Sequence, residues 1–343
     1  MNGKPCDLDS ALDKAAQMLS GARAPALAGF GADIAGVRAG LRLARAAGAV
    51  FDPLTPAFAA ELRAKQDRRF MFVTPGEAKS RADLVAAVGD EALRYARALF
   101  DSPPALGAGA GKPRALLAIA GSVAPSVKTL AAPAHRVAGV IAALAASVKR
   151  PQRTGEAAAF AQALKEARYG VIAFSAGELG ALGVEALMEL VESLNAATRF
   201  SCLPTPHADN AAGAVECALW TTGFPGRISF ASGDAEYDPW RFDARRMADA
   251  GECDAAVWVS AFRPQAPSWR GAGPTIALTG PGAGFAKPPE VHFAVGKPGV
   301  DHPGEFFDDE HRALAAFPAA DSGRLSAAAV LDAIALRVER RSA

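Results

Sequence analysis

Cysteine is scarce in this 343-residue chain, and the four that occur, Cys6, Cys202, Cys217 and Cys253, form no Cys-x-x-Cys pair. That spacing excludes a zinc ribbon, a compact cysteine motif for an iron–sulfur cluster and a disulfide scaffold, and leaves reduced, mostly buried thiols as the expectation. Long apolar runs are also missing. No stretch of about 18 to 20 apolar residues escapes interruption by charge, Pro or Gly, so no helical membrane span is expected. Neither sign of charge is in excess. With 37 basic and 36 acidic residues the formal net charge is +1, which offers no global field for nucleic acid or an anionic membrane. Met1 to Ser10 carries Asp7 and Asp9 in place of a basic region and an apolar core, so no secretory signal is visible and a cytoplasmic location is expected.

What is abundant is apolar material: half of the residues are hydrophobic and 33 are glycine. The chain has enough for buried cores and exceeds the usual single-domain length of about 100 to 200 residues, which predicts two domains and no disorder in the bulk. Short apolar runs alternate with segments of helical spacing from end to end, the pattern of α/β proteins with mainly parallel sheets. Asp9 or Ser10 is expected to cap a first helix over residues 11–19. Strands are expected at 26–30, 49–51, 70–73, 84–88, 115–120, 171–174 and 198–202, and again at 228–230, 255–260, 275–278 and 291–295. Helices are expected near 33–47, 91–100, 137–148, 156–167, 178–194 and 326–338.

Two proline-bracketed crossings, Pro53-Leu54-Thr55-Pro56 and Leu203-Pro204-Thr205-Pro206, separate the two sets. The sequence therefore predicts a discontinuous α/β domain, residues 1–52 plus 205–343, with a second α/β domain, residues 53–204, inserted in it. Residues 102–113, 263–274 and 280–289 read as loops, and no internal repeat is evident.

The candidate chemistry is thin. Gly29-Phe30-Gly31-Ala32-Asp33 lies between a strand and a helix, where glycines let a phosphate approach a helix N-terminus. However, Ile34 replaces the third small residue of a dinucleotide fingerprint and Asp33 puts a negative charge in the anion's place, so a tight turn and helix cap is the preferred reading. Gly107 to Lys112 resembles a phosphate loop only superficially, because Leu106 and Pro113 stand where glycine and Ser/Thr are required. Cys202, His207 and Asp209 could form a nucleophile, base and orienting carboxylate, but Cys202 ends an apolar strand and is read as a core thiol. Asp301, His302, Glu305, Asp308, Asp309 and His311 could bind a divalent ion, although a solvated acidic loop accounts for them equally well. Tyr237-Asp238-Pro239-Trp240-Arg241-Phe242 could stack on a planar ligand, and is read here as packing at an interface.

Several segments, taken in order, resemble the B subunit of formylmethanofuran dehydrogenase, a member of the molybdopterin oxidoreductase superfamily. They are Pro25 to Gly36; Gly76-Glu77-Ala78-Lys79-Ser80-Arg81-Ala82-Asp83-Leu84-Val85; Thr221-Thr222-Gly223-Phe224-Pro225; Tyr237-Asp238-Pro239; and Gly296 to Gly304. The resemblance spans about residues 7 to 338. It implies two Rossmann-like α/β domains, one inserted in the other, related to the central domains of molybdopterin oxidoreductases.

Three elements of that family's redox site are not matched. Only Cys6 stands where the family carries a cysteine-rich [4Fe-4S] segment. Phe51-Asp52-Pro53-Leu54-Thr55-Pro56 occupies the place of the cysteine or selenocysteine and its following histidine. Residues 203–213 contain no arginine where one is expected. The pattern is most similar to the truncated B-subunit homologue of the formyltransferase/hydrolase complex of methylotrophic bacteria. The resemblance implies a non-catalytic structural subunit, with no catalytic, cofactor-binding or metal residues of its own and with molybdopterin or tungstopterin and the iron–sulfur cluster lost. In such a complex a formyl group passes from formyl-tetrahydromethanopterin to a methanofuran-like carrier and is released as formate. The partners implied are an amidohydrolase-like subunit, a formyltransferase subunit and a homologue of the dehydrogenase's C subunit, with no nucleic acid and no membrane. The alternative is a pterin-dependent oxidoreductase of the formylmethanofuran dehydrogenase type. Bulky residues near 53–58 and 203–207 are expected to fill space that a lost cofactor would leave.

Overall fold

A computed structural model describes residues 1–68, 72–101, 115–121, 127–150, 154–267, 269 and 273–342. The chain divides into two compact units, one made of Met1–Thr55, His207–Asp308 and Ala313–Ala343, the other of Pro56–Pro206 and Asp309–Arg312.

The first unit begins with α1 (Leu8–Ser20). Its cap is Asp7, whose carboxylate accepts from the Ser10 N–H at 2.8 Å; the helix thus starts ahead of the expected Asp9 or Ser10, because Asp7 is the first acceptor that reaches the free amides of the opening turn. Leu12, Ala15, Ala16 and Leu19 face the core, as their spacing requires. Next come β1 (Pro25–Gly31), α2 (Ile34–Ala46) and β2 (Val50–Asp52). Phe30 has a positive φ of 52° and its ring lies under α2, where a Cβ on Gly40 would fall 2.0 Å from the ring edge. Only glycine permits that approach.

The chain then enters the second unit: α3 (Pro56–Arg68), α4 (Pro75–Arg81), β3 (Leu84–Val88), α5 (Asp90–Asp101), β4 (Ala115–Ile119), β5 (Lys128–Leu130), α6 (Val137–Lys149), α7 (Glu156–Lys165), β6 (Gly170–Phe174), α8 (Ala176–Asn195) and β7 (Phe200–Pro204). The five strands are parallel in the order β5-β4-β3-β6-β7. This is a doubly wound sheet of Rossmann type, and every residue of β3 and β6 is buried, as parallel strands covered on both faces must be. The strand expected at 70–73 lies partly outside the described residues, and Phe72 there makes one isolated bridge to Cys202. The last strand begins two residues later than expected and runs through Pro204.

Returning to the first unit, the chain forms α9 (Ala211–Thr222), β8 (Ile228–Ser229), β9 (Glu236–Tyr237), α10 (Ala244–Asp249), β10 (Ala255–Ser260), β11 (Thr275–Thr279), β12 (Val291–Ala294), the hairpin β13 (Gly304–Asp308) and β14 (Ala313–Phe317), and α11 (Ala327–Ser342). The sheet order is β12-β11-β10-β1-β2-β8-β9, with β8 and β9 antiparallel at one edge. Leu27, Val257, Ile276 and Leu278 are fully buried against α1, α2 and α11 on one face, while Trp258, Phe242 and Met247 cover the other. Among the described residues no helix is long and apolar enough to cross a membrane.

Candidate functional site

In an open α/β sheet, ligands bind beyond the carboxyl ends of the strands where the strand order reverses direction. In the first unit that place lies between β1 and β10, since β1 leads outward to β2 while β10 leads the opposite way to β11 and β12. A hollow of about 190 Å³ opens there, lined by the ends of β1 and β10, by Pro53–Thr55 and by Asp209, Arg263 and Gln265.

The hollow is small because an indole stands over its floor. Trp258 is 7% exposed, donates from its indole nitrogen to the Gln265 carbonyl at 2.7 Å, and meets the Trp269 ring edge-on at 5.2 Å. Gly29 has φ +93°, and a Cβ there would sit 2.7 Å from the Val259 carbonyl and 3.0 Å from the Trp258 ring. The glycine turn therefore admits protein, where a dinucleotide turn admits a phosphate.

The carboxylates and Asn210 around the strand ends are engaged within the unit, whereas the buried Thr55 hydroxyl at the rim of the hollow has no hydrogen-bond partner among the described residues. Asp33 is buried and caps α2, accepting from the Gly36 N–H at 3.0 Å; burial raises its pKa, and that hydrogen bond and His302 oppose the shift. Asp52, also buried, accepts from the Leu54 N–H at 2.9 Å and from the Ala244 N–H at 3.0 Å, with Arg227 at 3.7 Å. Burial pushes its pKa up to about 6 against those contacts. Asp209 is held by Arg263, whose Nε lies 2.6 and 2.8 Å from its two oxygens and whose second nitrogen also reaches it. Asn210, in the left-handed region, donates to the Ala32 carbonyl at 2.7 Å and accepts from the Phe307 N–H at 2.8 Å, tying the glycine turn to the start of α9 and to β13.

The structure separates the residues that the sequence grouped. Cys202 is buried in β7 of the second unit, and burial drives its thiol pKa up, opposite to the depressed value a nucleophile requires. His207 and Asp209 belong to the first unit, where Asp209 is engaged by Arg263. The segment 107–112 lies outside the described residues. Among the described residues no group of three or more His, Cys, Asp or Glu could hold a metal ion. Asp301 accepts from the Lys297 N–H at 2.8 Å with Arg324 at 3.6 Å, which folds the Gly296–Gly304 segment on itself, and Asp309 lies 3.9 Å from Arg312.

The aromatic stretch is organised more tightly. Tyr237 stacks on Phe224 at 5.4 Å. Asp238 accepts from the Trp240 and Arg241 N–H groups at 2.9 and 2.8 Å. Arg246 donates to the Trp240 and Arg241 carbonyls, pairs with Glu252 at 2.6 Å and lies 4.4 Å from the centre of the Trp240 ring. Trp240 is nevertheless 70% exposed. A large apolar ring is thus held to solvent on a loop whose conformation is already fixed, the form that an interface anchor takes. Sequence reasoning missed Trp258 and Arg263. The tryptophan sits inside a run that reads as core strand, and the arginine's partner is 54 residues away.

An open, doubly wound α/β sheet whose strand-end crevice is occupied by its own side chains defines the class of protein, and the comparisons narrow it. No family model matches the chain. It is 34% identical over 336 residues to the B subunit of the formyltransferase/hydrolase complex Fhc of Methylorubrum extorquens, covering 95% of this chain and 92% of the relative. It is 25% identical over 287 residues to the B subunit of the tungsten-containing formylmethanofuran dehydrogenase 2 of Methanocaldococcus jannaschii, covering 75% of this chain and 65% of that one. A chain in the crystal structure of the formyltransferase/hydrolase complex FhcABCD from Methylorubrum extorquens with methylofuran superimposes with a TM-score of 0.90 at 34% identity, covering 99% of this chain and 98% of that chain. The chain belongs to the B-subunit family of the formyltransferase/hydrolase complex.

Proposed function

We propose that this chain is a non-catalytic structural subunit of a formyltransferase/hydrolase complex. It works beside a formyltransferase, an amidohydrolase-like hydrolase and a homologue of the dehydrogenase's C subunit in the cytoplasm, while they carry a formyl group from formyl-tetrahydromethanopterin through a methanofuran-like carrier to formate. The observation that carries this reading is the filled crevice of the first unit. Where the resemblance puts a metal-binding thiolate and an imidazole, the chain presents Asp52-Pro53-Leu54-Thr55, and the Asp52 carboxylate is turned inward onto two backbone amides.

These residues do not fit a tungsten or molybdenum pterin. Among the described residues lining the hollow there is no thiol and no imidazole, and its arginine, Arg263, is already paired with Asp209. Asp33, which caps the neighbouring helix, would repel a pyrophosphate. Fold and site are separable, so a doubly wound scaffold can persist after its chemical groups are replaced. What remains useful is surface, and the preset loop bearing Trp240 is the kind of feature by which a scaffold grips a neighbour.

Affinity purification of the assembly from its native host, with a tag on a neighbouring subunit and this chain untagged, tests this reading. The expected result is co-elution with a formyltransferase and an amidohydrolase homologue, with no tungsten or molybdenum by elemental analysis. A chain that runs alone, or one that carries stoichiometric tungsten or molybdenum and so acts as a pterin-dependent oxidoreductase, overturns it.

A further inference from the structure

Beyond the strand ends, the first unit carries a groove of about 220 Å³ between α2 and the C-terminal end of α9. Leu41 and Phe230, both buried, line its apolar part, and Arg38, Arg42 and Arg45 its charged side. The arginines stand at i, i+4 and i+7 and so share one face of α2. Their states differ. Arg42 is neutralised by a two-pronged pair with Asp332 of α11, at 2.6 and 2.8 Å from one guanidinium nitrogen. Arg38 and Arg45 are exposed, and among the described residues neither has a carboxylate partner; Arg45 lies 5.3 Å from the centre of the Phe230 ring, and Arg38 lies beside the Cys217 thiol. Trp220, 48% exposed, immediately precedes the Thr221 that forms the groove's rim.

Two uncompensated guanidiniums seven residues apart on a helix are separated by about 10 Å along its axis, too far to share one phosphate. Between them lie the neutralised Arg42 and, beside it, the apolar wall of Leu41 and Phe230. The complementary ligand is a polypeptide segment with two carboxylates about that distance apart and an apolar side chain between them, each carboxylate forked by a guanidinium. With only two free charges and a net charge of +1, the face lacks the continuous basic field that nucleic acid requires.

We propose that this groove docks an acidic segment of another subunit of the complex, with Arg38 and Arg45 fixing its carboxylates and Leu41 and Phe230 seating its apolar side chain. The inference rests on the structural-subunit reading and deepens it by giving one interface a chemistry. The test uses the assembled complex. A photo-crosslinking amino acid placed at exposed Thr221 should capture a segment of a partner subunit containing Asp or Glu on both sides of an apolar residue. Charge reversal at both flanking arginines, R38E/R45E, should weaken retention of that partner about 100-fold, while R38K/R45K retains most of it and the thermal melt of the isolated chain is unchanged. The wild-type interaction should also weaken as salt rises from 0.05 to 0.5 M, values chosen to span the screening range. A captured segment without acidic residues, no capture at all, or equal retention by R38E/R45E overturns the groove while leaving the subunit reading intact. A wild-type chain that retains no partner overturns both.

Discussion

Both units are doubly wound, and in both the helix N-terminus beside the reversal point, the place where such folds receive an anion, is filled by one of the protein's own carboxylates. They do it differently. In the first unit Asp33 caps α2 from the residue just before it. In the second, the Glu91 N–H in the first turn of α5 donates to Glu178, 87 positions away at the start of α8, at 3.0 and 3.1 Å. Burial raises the Glu178 pKa, opposed by the Glu91 hydrogen bond, and the nearby charges of Glu91 and Asp90 add to the rise. The glycines at the two turns differ in the same sense. A Cβ on Gly29 meets a backbone carbonyl and an indole, whereas a Cβ on Gly89, φ +91°, meets the tip of the Glu178 side chain at 2.2 Å. The contrast separates a crevice sealed by backbone and ring from one sealed by a movable carboxylate.

The two units can be read independently in one sample. All four tryptophans, Trp220, Trp240, Trp258 and Trp269, lie in the first unit, and Cys202 is the one cysteine of the second. Tryptophan fluorescence and Cys202 labelling during denaturant unfolding therefore report separate bodies.

The largest effect should come from Gly29→Ala. Positive φ and an immovable carbonyl together should cost about 3 to 4 kcal/mol, seen as a lower fluorescence midpoint with Cys202 labelling unaltered. Gly89→Ala should cost less, about 2 kcal/mol, and appear in Cys202 labelling alone, because Glu178 can swing aside. Equal losses would show that the seal of the second unit is as rigid as that of the first.

Asp52 gives a pH signature confined to the first unit. Its folded pKa of about 6 exceeds the ordinary 3.8, so the folded state binds the proton more tightly. The associated stability is fully present below pH 4 and is lost as pH rises through 6. Fluorescence-detected stability should rise by about 1 kcal/mol between pH 7 and pH 5, and Asp52→Asn should remove that rise. A slope unchanged in the variant would assign the titration to another group.

The smallest differences concern the caps. Asp33→Ala should cost about 1 kcal/mol in the fluorescence signal. Glu178→Ala should cost nearer 0.5 kcal/mol in the labelling signal, because repulsion from Asp90 and Glu91 is relieved as the hydrogen bond is lost. A larger loss for Glu178→Ala would mean that the long-range carboxylate is the stronger seal.

The same contrast explains what was legible in the sequence. Asp33 is a local cap and is read directly; Glu178 lies far from Glu91 in sequence, and no local pattern reveals it. Apolar runs such as Leu84–Val88 and Ala255–Ser260 fall where their composition placed them. The helix Pro56–Arg68 is hidden by Pro53 and Pro56, which read as an extended crossing, although proline suits a first helical turn. The helix Pro75–Arg81 carries half of a capping box, with the Glu77 N–H donating to Thr74 Oγ1 at 3.1 Å, a signal easily passed over in so short a segment. Ala211–Thr222 begins at a left-handed Asn210 whose side chain serves other segments and caps nothing. At the candidate site, Asp209 and Arg263 are visible only as separate charges, because 54 residues separate them and only the folded sheet brings them together.

That return orders events during synthesis. Pro25 of β1 pairs with Ala255 of β10, and every strand of the second unit is translated between them. The inserted body has all its strands and helices, lacking only Asp309–Arg312, before the host's central strand pair can close, so on the ribosome it should fold first, while the opening βαβ piece waits with an exposed edge. Ribosome-stalled chains extended past residue 206 just far enough for that residue to clear the exit tunnel should protect Cys202 from labelling while β10 is still untranslated.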